Sequence, residues 1–284
     1  MVTTMRKLLG LLLAAGLSLG LTACGGSSSE PETAAGDATA SASAEPLKVG
    51  VTPVPHGQIL KFVSDTLAPS AGLKIEIVEF NDYVQPNLQL QDGQLDANYF
   101  QHRPYLEDFN ASKGTKLTFV ADVHLEPLGL YSSKIKNVAE LPEGATIAVP
   151  NDATNLGRAL KLLADNGVIT LKADAGITAT ERDITGNPKK LKFQPLEAAQ
   201  LPRSLPDVDA AVINGNYALE ADLNPATDAL ILEKAEGNPY VNGLVVAEGK
   251  ENDPRITELA RLLTGPEVKQ YIEQTFKGSV IPAF

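Results

Sequence analysis

Cysteine is nearly absent from this chain: Cys24 is the only one in 284 residues, so no disulfide framework can staple the fold. Histidine is almost as scarce, with His56, His102 and His124 alone. No two of them stand at metal-ligand spacing, and there is no Gly-x-Ser-x-Gly turn and no second thiol. The sequence therefore shows neither a catalytic nucleophile nor a metal site, and no cofactor is expected. Clustered positive charge is also missing. After Arg6 and Lys7 there is no Lys/Arg run, and 35 acidic residues outnumber 24 basic ones, for a formal charge of −11. Nucleic acid and anionic lipid head groups are poor partners for such a surface. The longest apolar stretch, residues 8–21, is shorter than the roughly 20 residues that a membrane-spanning helix needs.

What is present begins with an address. Arg6 and Lys7 form a basic start, residues 8–21 an apolar core, and Leu21-Thr22-Ala23-Cys24 closes it with small residues. This ending resembles a bacterial lipobox. The resemblance implies a signal peptide over 1–23, cleavage before Cys24, and acylation of Cys24 that anchors the protein to a membrane on its extracytoplasmic face. After Cys24, residues 25–45 are Ser, Ala, Gly, Thr, Pro and acidic residues without apolar periodicity, and the expected tether spans 24–45. Such a composition buries too little surface to offset its ordering entropy, so a flexible tether is expected.

Short β-rich runs then alternate with helical patterns. Strands are expected at 47–52, 74–78, 96–100, 117–122 and 128–131, with helices at 58–67, 84–92 and 104–113. A second cycle follows the turn-rich residues 137–144, with strands at 146–149, 191–196, 209–213 and 229–232 and a helix at 155–165. After Gly237-Asn238-Pro239 come a strand at 244–247 and helices at 254–263 and 266–276. The alternation predicts an α/β fold with mostly parallel sheets. Two lobes joined by two crossings, near 132–145 and 234–243, would place a ligand cleft at the carboxyl ends of the strands. The boundaries are then 46–133 plus 242–284 for lobe 1 and 134–241 for lobe 2.

Chemistry concentrates in residues 147–158. A strand ends at Pro150, Asn, Asp and Thr offer caps, and a helix begins near Thr154 or Asn155, where free N–H groups favour an anion. Arg158 lies one turn past Asn155 on the same face and offers a fork for a carboxylate; a capped helix with an exposed arginine has the same spacing. Asn214 ends an apolar strand and Asn242 stands at the second crossing, where an amide can accept from an ammonium and donate to a carboxylate; turn formation explains such asparagines equally. If the strand near Asp96 extends to His102, Asn98, Phe100 and His102 share one side and Tyr99 takes the other. Phe100 and His102 would then form one wall of a pocket and Tyr83 a second, with core packing as the alternative. His56 and His124 read as loop or strand-end residues.

Together with the lipobox, FNDYVQPN (80–87), DANYFQHRPYL (96–106), VPNDATNLGRAL (149–160), LPRSLPDVDAAVIN (201–214) and NPYVN (238–242) resemble, in order, the MetQ/NlpA family. That family comprises methionine-binding lipoproteins of import ABC transporters, with the type II periplasmic binding protein fold. The resemblance implies a solute binder without enzymatic activity, which captures methionine by lobe closure and delivers it to a permease driven by ATPase subunits. It further implies that Arg158 and Asn155 hold the ligand carboxylate, that Asn214 and Asn242 hold the polar groups on its α-carbon, and that Tyr83, Phe100 and His102 enclose the thioether. Asn214-Gly215-Asn216 departs from the Thr-containing turn of the methionine binders, and the loop over 52–57 varies within the family. A methionine-containing dipeptide, another small amino acid, or a metal ion are the alternative ligands.

Overall fold

The computed structural model describes residues 45–284, which fall in one compact unit, Ser41–Phe284. The expected signal peptide, Cys24 and the tether up to residue 44 lie outside the described residues. In chain order the strands are β1 (Leu47–Val51), β2 (Ile75–Glu79), β3 (Ala97–His102), β4 (Leu117–Leu125), β5 (Gly129–Tyr131), β6 (Thr146–Pro150), β7 (Thr170–Leu171), β8 (Ile184–Gly186), β9 (Lys192–Leu196), β10 (Ala210–Ile213), β11 (Ile231–Leu232), β12 (Val241–Ala247) and β13 (Ile281–Pro282). They build a six-stranded sheet ordered β13-β4-β12-β3-β1-β2, a five-stranded sheet ordered β11-β5-β10-β6-β9, and a ribbon of β7 and β8.

The sheets are mixed, where the sequence pattern predicts mostly parallel ones. β1 runs parallel to β2 and β3, and β6 parallel to β9 and β10. By contrast β12 is antiparallel to β3 and β4, and β5 is antiparallel to β10 and β11. The reason lies in the connections. Parallel neighbours need a helical crossover on the same sheet, whereas β5 and β12 arrive from the other sheet and are free of that constraint.

The α-helices are α1 (Gln58–Phe62), α2 (Gln85–Gln91), α3 (Arg103–Lys113), α4 (Ala153–Asp165), α5 (Leu201–Ser204), α6 (Gly215–Glu220), α7 (Pro225–Asp228), α8 (Pro254–Leu263) and α9 (Pro266–Phe276). In α8, Asp253 caps the start by accepting from the Arg255 N–H, and Ile256, Leu259, Leu262 and Leu263 form one buried stripe. That stripe packs with Val49, Tyr99 and Leu244 in the core of the first sheet, where each such side chain contributes about 1.5–3 kcal/mol by leaving water. The second sheet has its own core, in which Leu160 and Leu163 of α4 meet Ile147, Val149 and Val212.

Strand pairing also moves the first crossing. β4 ends at Leu125 in one sheet and β5 begins at Gly129 in the other, so the chain changes sheet over residues 126–128. It returns over residues 233–240, between β11 and β12. Gly129–Tyr131, placed in lobe 1 by the expected boundary at 133, pairs within the second sheet. The polar turn over 137–144 has the composition of a crossing but is tied into the second sheet's side of the chain, with Gly144 N–H donating to Lys189 O at 2.7 Å.

Candidate ligand-binding cleft

Where the two crossings meet the strand ends, the chain encloses about 340 Å³ of atom-free space, part of it open to solvent. Tyr83, Phe100, His102, Asn155, Arg158, Asn214 and Asn242 all line it. So do Gln101, Tyr105, Glu126, Gly215 and Asn216, which the sequence pattern did not single out.

The aromatic wall depends on a defect in pairing. Leu244 of β12 stands opposite Tyr99 and Gly243 opposite Gln101, which leaves Phe100 as an extra residue in β3. A bulge of this kind re-aims side chains and breaks plain alternation. Gln101 therefore reaches back to Asn98 at 2.9 Å, which the expected alternation would place on the opposite face. Tyr99 goes to the core of the first sheet, while Phe100 packs with Tyr105 and Phe109 beside Tyr83. Ring centroids lie 6.0 Å apart for Tyr83 and Phe100 and 5.9 Å for Tyr83 and Tyr105, and Tyr105 fixes the Tyr83 backbone by donating to its carbonyl at 2.8 Å. The wall is closed from the second sheet's side by Tyr217, 5.1 Å from Tyr83.

The start of α4 differs from expectation. Asp152 is its N-cap and accepts from the Asn155 N–H at 2.9 Å, so the chain's own carboxylate occupies the helix end. The Asn155 side-chain NH2 also donates to Asp152, at 3.0 Å. Its Oδ1 is thereby an acceptor and receives Asn214 Nδ2 at 2.9 Å and His102 Nε2 at 3.2 Å. His102 must then carry its proton on Nε2, in agreement with its Nδ1 accepting from the Tyr105 N–H at 3.1 Å. Burial, with Arg158 nearby, lowers the His102 pKa to about 3, so the ring is neutral.

Arg158 is buried rather than exposed, at 3% of its free surface. Its Nε donates to Glu233 Oε1 at 2.9 Å, and its Nη2 donates to Glu233 Oε2 and, at 2.9 Å, to the Glu126 carbonyl. The guanidinium lies over Tyr240, 4.3 Å from the ring centroid. Burial opposes the charged forms of Arg158 and Glu233, yet each offsets this for the other: the arginine pKa is raised and the glutamate pKa lowered. The expected bidentate fork is thus already engaged by Glu233, and Nη1 makes no hydrogen bond among the described residues.

His56, in the short segment between β1 and α1, and His124, next to the end of β4, stand where the sequence places them, and both are buried. His56 Nε2, His124 Nε2 and Glu126 Oε1 lie within 4.8 Å of one another, a donor set that suits a divalent cation. Hydrogen bonding already accounts for each atom. Glu126 Oε1 accepts from His124 Nε2 at 2.7 Å and stands 3.2 Å from His56 Nε2, which also donates to Asn242 Oδ1 at 3.1 Å. The Nδ1 atoms accept from the hydroxyls of Thr52 and Tyr99. Burial lowers His56 to about 4 and His124 to about 3, and it pushes the Glu126 carboxyl up, with His56 and Arg158 pulling it part of the way back.

Three buried side-chain polar atoms lack a partner among the described residues, and two of them belong to this cavity: Asn214 Oδ1, an acceptor, and Asn216 Nδ2, a donor. An unpaired buried polar atom costs about 1–3 kcal/mol, so a partner at either atom would be stabilising. The sequence offered little signal for Asn216 and Glu126. Asn216 sits in the first turn of the short α6 and Glu126 in the first crossing, and their places beside the cleft are set by the tertiary fold.

With this geometry in view, comparison with known proteins is informative. The NlpA lipoprotein family model matches residues 47–284. The probable D-methionine-binding lipoprotein MetQ of Vibrio cholerae is 43% identical over 235 residues, 83% of this chain and 87% of that protein. The D-methionine-binding lipoprotein MetQ of Escherichia coli K12 is 41% identical over 237 residues, again 83% of this chain and 87% of that protein. Among solved structures, a nutrient binding protein from Burkholderia cenocepacia bound to methionine superposes with a TM-score of 0.81 at 46% identity, covering 84% of this chain and all of that one. The two sheets and their paired crossings are those of a two-lobe periplasmic binding protein, and the chain belongs to the NlpA lipoprotein family.

Proposed function

We propose that this protein captures free methionine outside the cytoplasm and delivers it to an ABC importer, with no chemistry on the ligand. The observation that carries the reading is the pair of unmatched amide atoms, Asn214 Oδ1 and Asn216 Nδ2, in an aromatic-walled cavity that also holds Arg158 and Glu126. An α-amino acid supplies what they lack. Its ammonium fits the Glu126 carboxylate and Asn214 Oδ1, and its carboxylate fits Arg158 Nη1 and Asn216 Nδ2. Asn155 and Asn242 serve mainly by holding Asn214, His102 and His56 in place. The side chain falls among Tyr83, Phe100, Tyr105 and His102, where a sulfur against aromatic rings adds about 0.3–1.5 kcal/mol.

Capture follows from closure. Tyr83 to Asn216, His102 to Asn155, and Tyr217 to the Asn81 carbonyl are hydrogen bonds that join residues 81–102 to residues 155–217 across the cleft. We place lobe 1 at 46–128 plus 241–284 and lobe 2 at 129–240, hinged at residues 126–128 and 233–240. A ligand touching both lobes favours the closed state by its differential contacts. No helix among the described residues is long and apolar enough to cross a membrane. Acylated Cys24 would supply the anchor, and a permease with ATPase subunits would receive the closed form.

Thermal-shift measurement on the purified protein tests this. At a hundredfold excess over Kd, methionine adds about 2.7 kcal/mol, a Tm rise of about 5–10 °C for a chain of this size. Norleucine shifts less, and glutamate, lysine and methionine amide little. Stabilisation by zinc and none by methionine or a methionyl peptide would transfer the assignment to the His56, His124 and Glu126 cluster.

A further inference from the structure

Arg158 does not await a carboxylate as a free cation. One edge of its guanidinium, Nε and Nη2, is held by Glu233, and Nη2 is also tied to the Glu126 carbonyl. Glu233 follows β11 at the start of the second crossing, and its Oε2 accepts from the Leu128 N–H at 3.1 Å on the first crossing. One carboxylate thus pins the arginine to both crossings. Glu233 does not line the ligand cavity; it lines a neighbouring cleft together with Lys161 and Lys234.

We infer that Glu233, from outside the ligand cavity, offsets the charge of Arg158 and thereby makes the site select zwitterionic amino acids over anions of the same shape. This rests on the reading of the cleft as an α-amino-acid site. The charged groups around the cavity are Arg158 and the carboxylates of Glu233, Glu126 and Asp152, the last two pushed up by burial, and the histidines are neutral. A zwitterion adds no net charge: its ammonium meets Glu126 while its carboxylate meets Arg158. An anion without the ammonium brings no cation to Glu126 and brings a second carboxylate to an arginine that already has one. In this dry setting like charges repel strongly. Glu233 is a positioning residue whose effect is read in ligand selectivity rather than in affinity alone.

The test compares L-methionine with its α-hydroxy acid analogue, an anion with the same side chain, by calorimetric titration of the full mature protein. The wild type should favour methionine by about 100-fold or more. Glu233→Gln should narrow that ratio to about tenfold or less, while Glu233→Asp, which keeps the charge, stays within about twofold of the wild type. If the glutamine variant does not fold, Glu233→Ser replaces it with the same expected narrowing. A ratio in Glu233→Gln or Glu233→Ser within about twofold of the wild type, or equal narrowing in Glu233→Asp, overturns the inference while methionine binding itself stands. A wild type that binds both ligands within about tenfold also overturns it. A wild type that binds no methionine instead removes the reading of the cleft beneath it.

Discussion

Tyr83 and Asn216 meet across the cleft, the tyrosine hydroxyl donating to the amide oxygen and so leaving the amide NH2 of Asn216 unmatched toward the cavity. One bond thereby closes the cleft and orients a ligand-binding donor. Tyr83→Phe keeps the ring and removes the bond. Methionine affinity should fall by about 1–2 kcal/mol, or roughly five- to thirtyfold, with little change in Tm of the unliganded protein. Calorimetry and a melting curve on the same sample check this, and an unchanged Kd would remove the closing role of Tyr83.

Truncating Arg158 should damage both binding and folding. Arg158→Ala should weaken methionine by about 2–5 kcal/mol. The sequence pattern alone suggests that the fold would be untouched, but the variant also strips Glu233 of its buried partner. A drop in Tm is therefore expected alongside the lost binding, and it should be smaller in the Arg158→Ala/Glu233→Ala double variant. Equal melting temperatures for wild type and single variant would contradict the burial of this pair.

Gly215 is required by a close approach. A Cβ built there would stand 2.7 Å from the Glu126 Cβ, so alanine must push the start of α6 away from the first crossing. Gly215→Ala should weaken methionine at least about tenfold and shift the protein toward an open form. Small-angle scattering with saturating methionine should show a larger radius of gyration for the variant, and an identical one would discount the contact.

Acid should destabilise the protein through its histidines. Burial holds His56 at about 4 and His102 and His124 at about 3, below the unfolded value of 6.5. Below pH 6.5 the unfolded chain takes up protons that the folded chain refuses. Their contribution is complete above pH 6.5 and is lost as the pH falls toward about 4, at up to about 1.4 kcal/mol per pH unit for each ring. The raised pKa of Glu126 acts in the opposite sense and softens the slope. Melting curves from pH 7.5 to 4.5 should show a steady fall in Tm below 6.5, and His102→Gln should reduce the slope. A flat profile would mean that the folded chain takes up protons as readily as the unfolded one.

The two helices at 254–263 and 266–276 fall where the sequence puts them, because Pro254 and Pro266 fix their first turns and each has a periodic apolar face. Such signals are local, and local signals survive in a linear reading. The same holds for β1, whose apolar run leaves it no place but the interior. The short elements α5, α6, α7, β7 and β8 were missed, since two to six residues carry too little periodicity to register.

By itself the sequence determined the α/β alternation, the sparse thiol chemistry, the lipobox-like ending at Cys24 and the motif order that gathers seven residues into one cleft. Tertiary structure decided what those residues do there. That Glu233 holds one edge of Arg158, 75 residues away, and that Glu126, His56 and His124 share one buried network with Asn242, which lies 186 residues from His56, are relations between distant parts of the chain. No composition or spacing encodes them, because a hydrogen bond is made by atoms in space, and only the paired crossings bring these atoms together.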